Sequence, residues 1–257
     1  MILRDAILPA GGRLDPETAA RAGTEVKALA SFGDQTILER TIGALRESGH
    51  VRRIIVIGPT LLQGHPSCAG ADAVLEEAAT GPDNIFLGVD HLAAQDDALD
   101  EMLIVTTDLP FLSGEIVRSY LGLCPDDREF CVPLISRGEF NARYPGATAT
   151  FVTLRDGEFT AGCMYAAKLD ALRRARPHIE RVFEQRKNKL GMARLLGLGF
   201  VWGYLRRTLT VADIERKVQS LLDCRGAAIA GSPPELAYDI DDLEDFDYAS
   251  RHVGEAR

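Results

Sequence analysis

Residues 6–13 read Ala-Ile-Leu-Pro-Ala-Gly-Gly-Arg, and fourteen residues separate Gly12 from Lys27. Two glycines after a buried strand let the backbone bend sharply and come close to a ligand. Exposed N–H groups in such a turn form a concavity for an anion, most often a phosphate. A phosphate cradle also needs a cation. Lys27 is a candidate, because Val26 and Ala28-Leu29 fix its base in place. The same features also suit a tight strand exit followed by a solvated lysine. The stretch matches neither GxxxxGK[ST] nor GxGxxG.

Two further stretches carry carboxylates. Residues 103–112, LIVTTDLPFL, form an apolar strand signal that ends in Thr106-Thr107-Asp108. In open α/β sheets ligands bind beyond the carboxyl ends of strands. An aspartate there suits Mg²⁺, which takes carboxylate oxygens together with substrate phosphates. Asp108 could equally cap a turn. From Asp239 to Asp247, six of nine residues are acidic. Asp242 suits a helix N-cap, with Glu244 and Asp245 in the first turn. Asp239 and Asp241 flank Ile240, and in an extended segment both point to one side. Either of them facing Asp108 would complete a metal site.

These residues need a scaffold. Apolar runs predict strands near 5–8, 53–58, 72–77, 102–108 and 130–136. Between them, amphipathic periodicity predicts helices over 37–47, after Asp83 as a cap, and after Ser113 as a cap. This alternation implies an α/β protein with a mainly parallel, doubly wound sheet. Residues 148–167 predict two strands around Asp156-Gly157. Helices are expected near 167–175, 177–187, 189–206 and 210–222, then a last strand at 227–231 and a C-terminal helix. No repeat or composition shift marks a boundary, so 1–257 reads as a single domain with a helical insertion at 168–222.

Taken in order, the motifs resemble the MobA-like NTP transferases, the GT-A nucleotidyltransferases typified by the molybdenum-cofactor guanylyltransferase. That family runs strand, LxAGG, loop, K-P/A-L, a strand ending in D-x-P, and a late N/D-x-N/D-x-x-x-D. This chain has Leu8-Pro9-Ala10-Gly11-Gly12, Lys27-Ala28-Leu29, Asp108-Leu109-Pro110 and Asp239-Ile240-Asp241-Asp242-Leu243-Glu244-Asp245. Residues 33–45 also resemble the family's glycine turn and following helix. The likeness covers most of 5–136 and 226–248. The chain lacks the serine-x-arginine that the family carries in its loop, and Arg13 is the candidate to supply that cation.

The resemblance implies a Rossmann-like GT-A fold with a mixed, mainly parallel sheet flanked by helices. It implies transfer of NMP from an NTP, with CTP or GTP favoured, to a phosphorylated acceptor. Lys27, Asp108 and Arg13 would be catalytic. Leu8, Ala10, Gly11, Gly12, Gly81 and Asn84 would bind the nucleotide, although Gly81 and Asn84 equally suit a turn and cap. Asp108, Asp241 and Asp239 would hold Mg²⁺, or Mn²⁺ in its place. Gly162, in the hairpin, would let the acceptor come close. Residues 13–26 would form an ordered lid, or a loop that orders when NTP arrives. The competing classes are a GT-A glycosyltransferase using a nucleotide sugar and a non-catalytic nucleotide-binding module. The first usually carries a DxD pair, whereas Asp108 follows two threonines.

The totals agree with a small-molecule enzyme. Apolar residues make up 46% of 257, enough for a substantial core. A net charge of −9 argues against nucleic acid as a partner, since phosphate-backbone binding relies on Lys and Arg. Five cysteines without a CxxC pair suggest free thiols and a cytoplasmic location. The longest apolar segment, 190–205, has sixteen residues interrupted by Arg194, short for a membrane span. Residues 190–207 read as a helix packed on the sheet or a face for a homodimer. A membrane-surface helix is the alternative.

Overall fold

A computed structural model describes residues 3–185 and 188–253. The first strand, β1 (Arg4–Pro9), leads into a short helix α1 (Pro16–Ala22). Two-residue strands β2 (Ser31–Phe32) and β3 (Gln35–Thr36) make a small ribbon before α2 (Ile37–Ser48). Then come β4 (Val51–Gly58), β5 (Ala73–Glu76), α3 (Gly81–Ala93), β6 (Glu101–Val105) and α4 (Gly114–Leu123). β7 (Phe130–Ser136), α5 (Arg137–Arg143), β8 (Val152–Leu154), β9 (Gly157–Ala161) and β10 (Met164–Lys168) follow. Four helices, α6 (Leu169–Gln185), α7 (Lys189–Leu196), α8 (Leu198–Leu205) and α9 (Val211–Leu222), precede β11 (Gly226–Ala230) and α10 (Leu243–His252).

One nine-stranded sheet runs β5-β4-β1-β6-β10-β7-β9-β8, and β11 pairs with β7. β5, β4, β1 and β6 are mutually parallel. β10 is antiparallel to both β6 and β7, which makes the sheet mixed. The fold is therefore the expected α/β type. Because β1 and β6 are parallel neighbours, their carboxyl ends, and so Gly11-Gly12 and Asp108, emerge at one edge.

β1 is buried on both faces, with helices covering each. Leu8 packs with Leu38, Leu45, Val117 and Tyr120 from α2 and α4. Ile7 packs on the other face with Phe86, Val89 and Leu92 of α3. Gly88 is required there, since a Cβ would lie 2.9 Å from the Ile7 side chain. A third, largely aromatic cluster joins Phe111, Phe140, Tyr144, Tyr238, Ile240 and Phe246 beneath the C-terminal acidic segment.

Several local expectations need correction. Thr80, not Asp83, caps α3: its hydroxyl accepts from Asp83 N, so Asp83 sits in the first turn. α6 runs straight through Pro177. Pro177 is exposed, so the hydrogen bond it cannot make lies on the solvent side. The segment expected at 189–206 is two helices broken at Gly197, whose φ of 86° ends the first. Among the described residues neither helix has a buried side chain, so they do not show this segment packed on the sheet. The hairpin at Asp156-Gly157 is present as β8–β9, and 164–168 adds a third strand. No described helix is long and apolar enough to cross a membrane.

Candidate active site

The opening loop is a folded unit. Asp15 caps α1 by accepting from Glu17 N and Thr18 N, at 2.9 and 3.2 Å. Gly23, at φ 71°, closes the helix. The two ends of the segment then meet: Lys27 N donates to Gly12 O at 3.0 Å and Leu14 N to Glu25 O at 3.0 Å. Residues 13–26 form a loop carrying α1. Its apolar side, Ala19 and Ala22, rests on the aromatic cluster, and Arg21 bonds Asp247 of α10 at 3.2 Å. Fourteen residues thus form a detour that brings Lys27 back beside the glycines.

Lys27 lies between two carboxylates. Its Nζ is 3.1 Å from Asp241 Oδ1 and 3.6 Å from Asp108 Oδ2, and only 13% of the side chain is exposed. Burial would lower the lysine pKa, but Asp108 and Asp241 outweigh it, and the group stays charged. Asp108 is fixed by its backbone: its carbonyl accepts from Ile240 N at 3.1 Å. Just upstream, Thr107 Oγ1 donates to Pro9 O at 3.0 Å and Thr106 N to Cys163 O at 3.1 Å. These bonds tie the ends of β1, β6 and β10 together.

The C-terminal segment completes the group. Ile240 is fully buried among the aromatics, which leaves Asp239 and Asp241 facing the other way, toward Asp108. Asp242 caps α10, and Asp245 Oδ2 accepts from Asp241 N and Asp242 N at 3.0 and 3.3 Å. That is the division of labour expected from the sequence. Asp239 is pushed up to about 7, first by burial and then by Asp108 and Asp241.

The residues present fit a divalent cation by their charge and donor type. Three carboxylates against one ammonium leave two negative charges when all are ionised. Asp108 Oδ1 is buried and has no hydrogen-bond partner. Among the described residues, no three acidic, His or Cys side chains converge closely enough to hold a cation alone. The shell would need substrate phosphates and water, as is usual for Mg²⁺.

The glycines carry the anion-binding capacity. Among the described residues nothing accepts the N–H groups of Gly11 and Gly12. Arg13 is brought to this turn, where it donates to Gly11 O, and its guanidinium is 2.5 Å from Glu77 Oε1. Glu77 was not legible as a site residue in the sequence. Its carboxylate lies so close over Gly11 that a Cβ there would fall 2.1 Å from Oε2. Only the pairing of β5 with β4 brings it there, through Glu77 N to Gly58 O at 2.8 Å.

Other predicted residues have different places. Leu8 is fully buried and its backbone pairs with β4, so its side chain belongs to the core, away from the edge. Ala10 is buried too, with its N–H bonded to Ile57 O at 2.6 Å. Asn84 is buried near Gly11 and accepts from Ala78 N at 2.6 Å, which shapes the Glu77 turn. Gly81 starts α3 and lies against Phe183 of α6. Gly162 has a packing reason for its lack of a side chain: a Cβ would lie 2.8 Å from Leu236 O and 2.9 Å from Pro133 Cβ. Beside it, a pocket of about 360 Å³ is lined by Thr150, Thr160, Cys163, Tyr238, Asp239 and Asp241.

The chain is similar to known proteins in sequence and fold. A model of the MobA-like NTP transferase domain matches residues 6–192. A hypothetical transferase from Thermus thermophilus is 26% identical, with a TM-score of 0.82, over 95% of this chain and 100% of that one. A nucleotidyl transferase from Methanothermobacter thermautotrophicus superposes with a TM-score of 0.59 at 18% identity, over 99% of each chain. The 4-diphosphocytidyl-2C-methyl-D-erythritol synthase from Anaerococcus prevotii does so at 0.57 and 12%, over 98% of this chain and 99% of that one. No curated protein matches the chain in sequence. The matched segment contains the glycine turn, Lys27 and Asp108, and the whole chain shares the nucleotidyltransferase architecture, so the chain belongs to the MobA-like NTP transferase domain family.

Proposed function

We propose that the protein transfers a nucleoside monophosphate from an NTP, with CTP or GTP favoured, to a phosphorylated acceptor. The acceptor class is a cofactor precursor or a sugar or polyol phosphate. An acceptor phosphate oxygen forms a bond to the α-phosphorus. The bond from that phosphorus to the oxygen bridging to the β-phosphate breaks, and pyrophosphate leaves with the electron pair. No covalent enzyme intermediate is needed, so the protein's work is positioning and charge stabilisation.

Each residue then has a task. The free N–H groups of Gly11 and Gly12 hold phosphate oxygens. Lys27 offsets the charge that builds at the α-phosphate. Arg13 contributes a second cation once Glu77 releases it. Asp108 and Asp241, with Asp239 behind them, would hold Mg²⁺ or Mn²⁺, which when bound neutralises and aligns the phosphates. The pocket beside Asp239 and Asp241 is the candidate place for the acceptor.

The observation that carries this reading is Lys27 Nζ, seated between Asp108 and Asp241 beside two glycine amides that no described residue accepts from. The test is product analysis with each NTP, a divalent metal and a panel of acceptor phosphates. Pyrophosphate release is expected. Nucleoside diphosphate release from a nucleotide sugar would identify a glycosyltransferase instead, and binding without turnover a nucleotide sensor. Lys27→Ala and Asp108→Ala should each lower kcat by at least ~10²-fold, the usual loss for one preorganised electrostatic group. Near-normal turnover in either variant, with an unchanged circular dichroism spectrum, would overturn the assignment.

A further inference from the structure

The catalytic edge leaves the α7–α8 segment unexplained. Isolated exposed apolar side chains are ordinary. Here they are concentrated: Leu190, Leu198, Trp202, Tyr204 and Leu205 are half of the ten large apolar side chains exposed among the described residues. Leu198, Trp202 and Leu205 recur at i, i+4 and i+7, which puts them on one face of α8. Leu198 is 83% exposed and Trp202 58%.

The charges within this segment have one sign. Residues 188–207 contain Lys189, Arg194, Arg206 and Arg207 and no acidic residue. Arg194, Arg206 and Arg207 make no salt bridge with any described residue. The Arg206 guanidinium lies 4.6 Å from the Trp202 ring centroid, a cation beside the apolar face. On a larger scale, residues 168–222 hold thirteen Lys and Arg against five Asp and Glu, a net of +8. The remaining residues carry −17. The segment is therefore basic within an acidic chain, and an anionic surface would attract it.

We propose that α8, with the adjoining part of α7, docks on the surface of a bilayer containing anionic lipid. Apolar side chains would enter the boundary between headgroups and acyl chains while the arginines meet lipid phosphates. An eight-residue helix suits lying in the interface, and no described helix could span the bilayer. A symmetric contact with a second copy fits less well. Residues 188–207 bring Lys and Arg to such a contact but no carboxylate of their own to pair with them across a two-fold axis. The segment is anchored to the sheet, through Arg155 N to Leu209 O at 2.8 Å and Val211 N to Asp156 Oδ2 at 3.0 Å. Docking would therefore orient the whole molecule.

Trp202 is the only tryptophan, so its emission reports on this face alone. The experiment titrates the full chain with vesicles of phosphatidylcholine mixed with phosphatidylglycerol, and with phosphatidylcholine alone. Flotation and tryptophan emission are followed at low and high salt. Expected is a blue shift and co-flotation with the anionic vesicles, weakened by salt. Binding should weaken by about fivefold for each of Arg194, Arg206 and Arg207 changed to Gln. Leu198→Ser with Leu205→Ser should reduce co-flotation while the circular dichroism spectrum stays unchanged. No binding to anionic vesicles at low salt would overturn the proposal. So would equal binding by the arginine variants, or a blue shift without vesicles that follows protein concentration and dimer mass, which would identify a second copy as the occupant.

Discussion

Glu77 and Arg13 set the state of the proposed phosphate cradle at the level of single residues. Glu77 lies over Gly11 and holds Arg13 by an ion pair at 2.5 Å, where a triphosphate would bring its own negative charge. Both side chains are partly exposed, so the pair itself is worth little. An entering nucleotide must still displace the carboxylate and take over the guanidinium. Glu77→Gln is therefore expected to tighten NTP binding by up to about fivefold, the range of an exposed ion pair. Isothermal titration with NTP and metal would measure this. Weaker binding in Glu77→Gln would instead make Glu77 a part of the substrate or metal shell. Lys27 and Asp108 differ from this pair because both are largely buried, so loss of either should affect turnover more than binding.

At the scale of the element, the detour from Arg13 to Val26 decides where Lys27 stands. It is held at its neck by backbone bonds and at its tip by α1. Gly23 closes α1 in the left-handed region, where a side chain costs roughly 1–2 kcal/mol. Gly23→Ala should lower global stability by no more than that in urea unfolding. It should also speed amide exchange or proteolysis within 13–26, and raise KM for NTP as Lys27 loses its fixed base. Exchange unchanged in that segment would mean that the contacts with α10 hold it without α1. The C-terminal element works differently: Ile240 is the anchor, and the aromatic cluster around it turns an acidic stretch into two directed carboxylates.

For the molecule as a whole, charge is distributed between two ends of the sheet. The amino end of β1 buries Asp5 completely, with Arg52 Nη2 at 2.8 Å and Arg53 Nη2 at 2.5 Å. Burial alone would raise the Asp5 pKa, but the hydrogen bonds from Arg53 and Arg52 outweigh it and hold the carboxyl below its usual range. The linkage sign follows: this contribution is present above the unfolded pKa, about 3.9, and is lost as pH falls through the lower folded value. Asp5→Ala should cost about 1–3 kcal/mol at neutral pH, since buried donors of Arg53 lose their acceptor while Arg52 and Arg53 keep Asp96 at 2.6 and 3.7 Å. Asp5→Asn should also be less stable than the natural chain at pH 7, and the two urea midpoints should converge at strongly acidic pH. A gap of the same size at both pH values would show that packing, and not charge, explains the loss.

Much of this was determined by sequence alone. Strand and helix periodicity gave the α/β class, because β1, β4 and β6 are buried on both faces and their connections have helical period. The ordered motifs around Gly11-Gly12, Lys27, Asp108 and Asp239–Asp245 are local, and each can be read from a few adjacent residues. The Asp242 cap with Asp245 follows the same logic. The tertiary structure decided what depends on distant pairing. It brought Glu77 over Gly11, sealed Leu8 into the core, gave Gly162 a packing role against Leu236, and left α8 uncovered. Periodicity records which face of a helix is apolar, but an apolar face says nothing of whether any other part of the chain reaches it. In α8 no described residue buries that face, and only the assembled fold could show it.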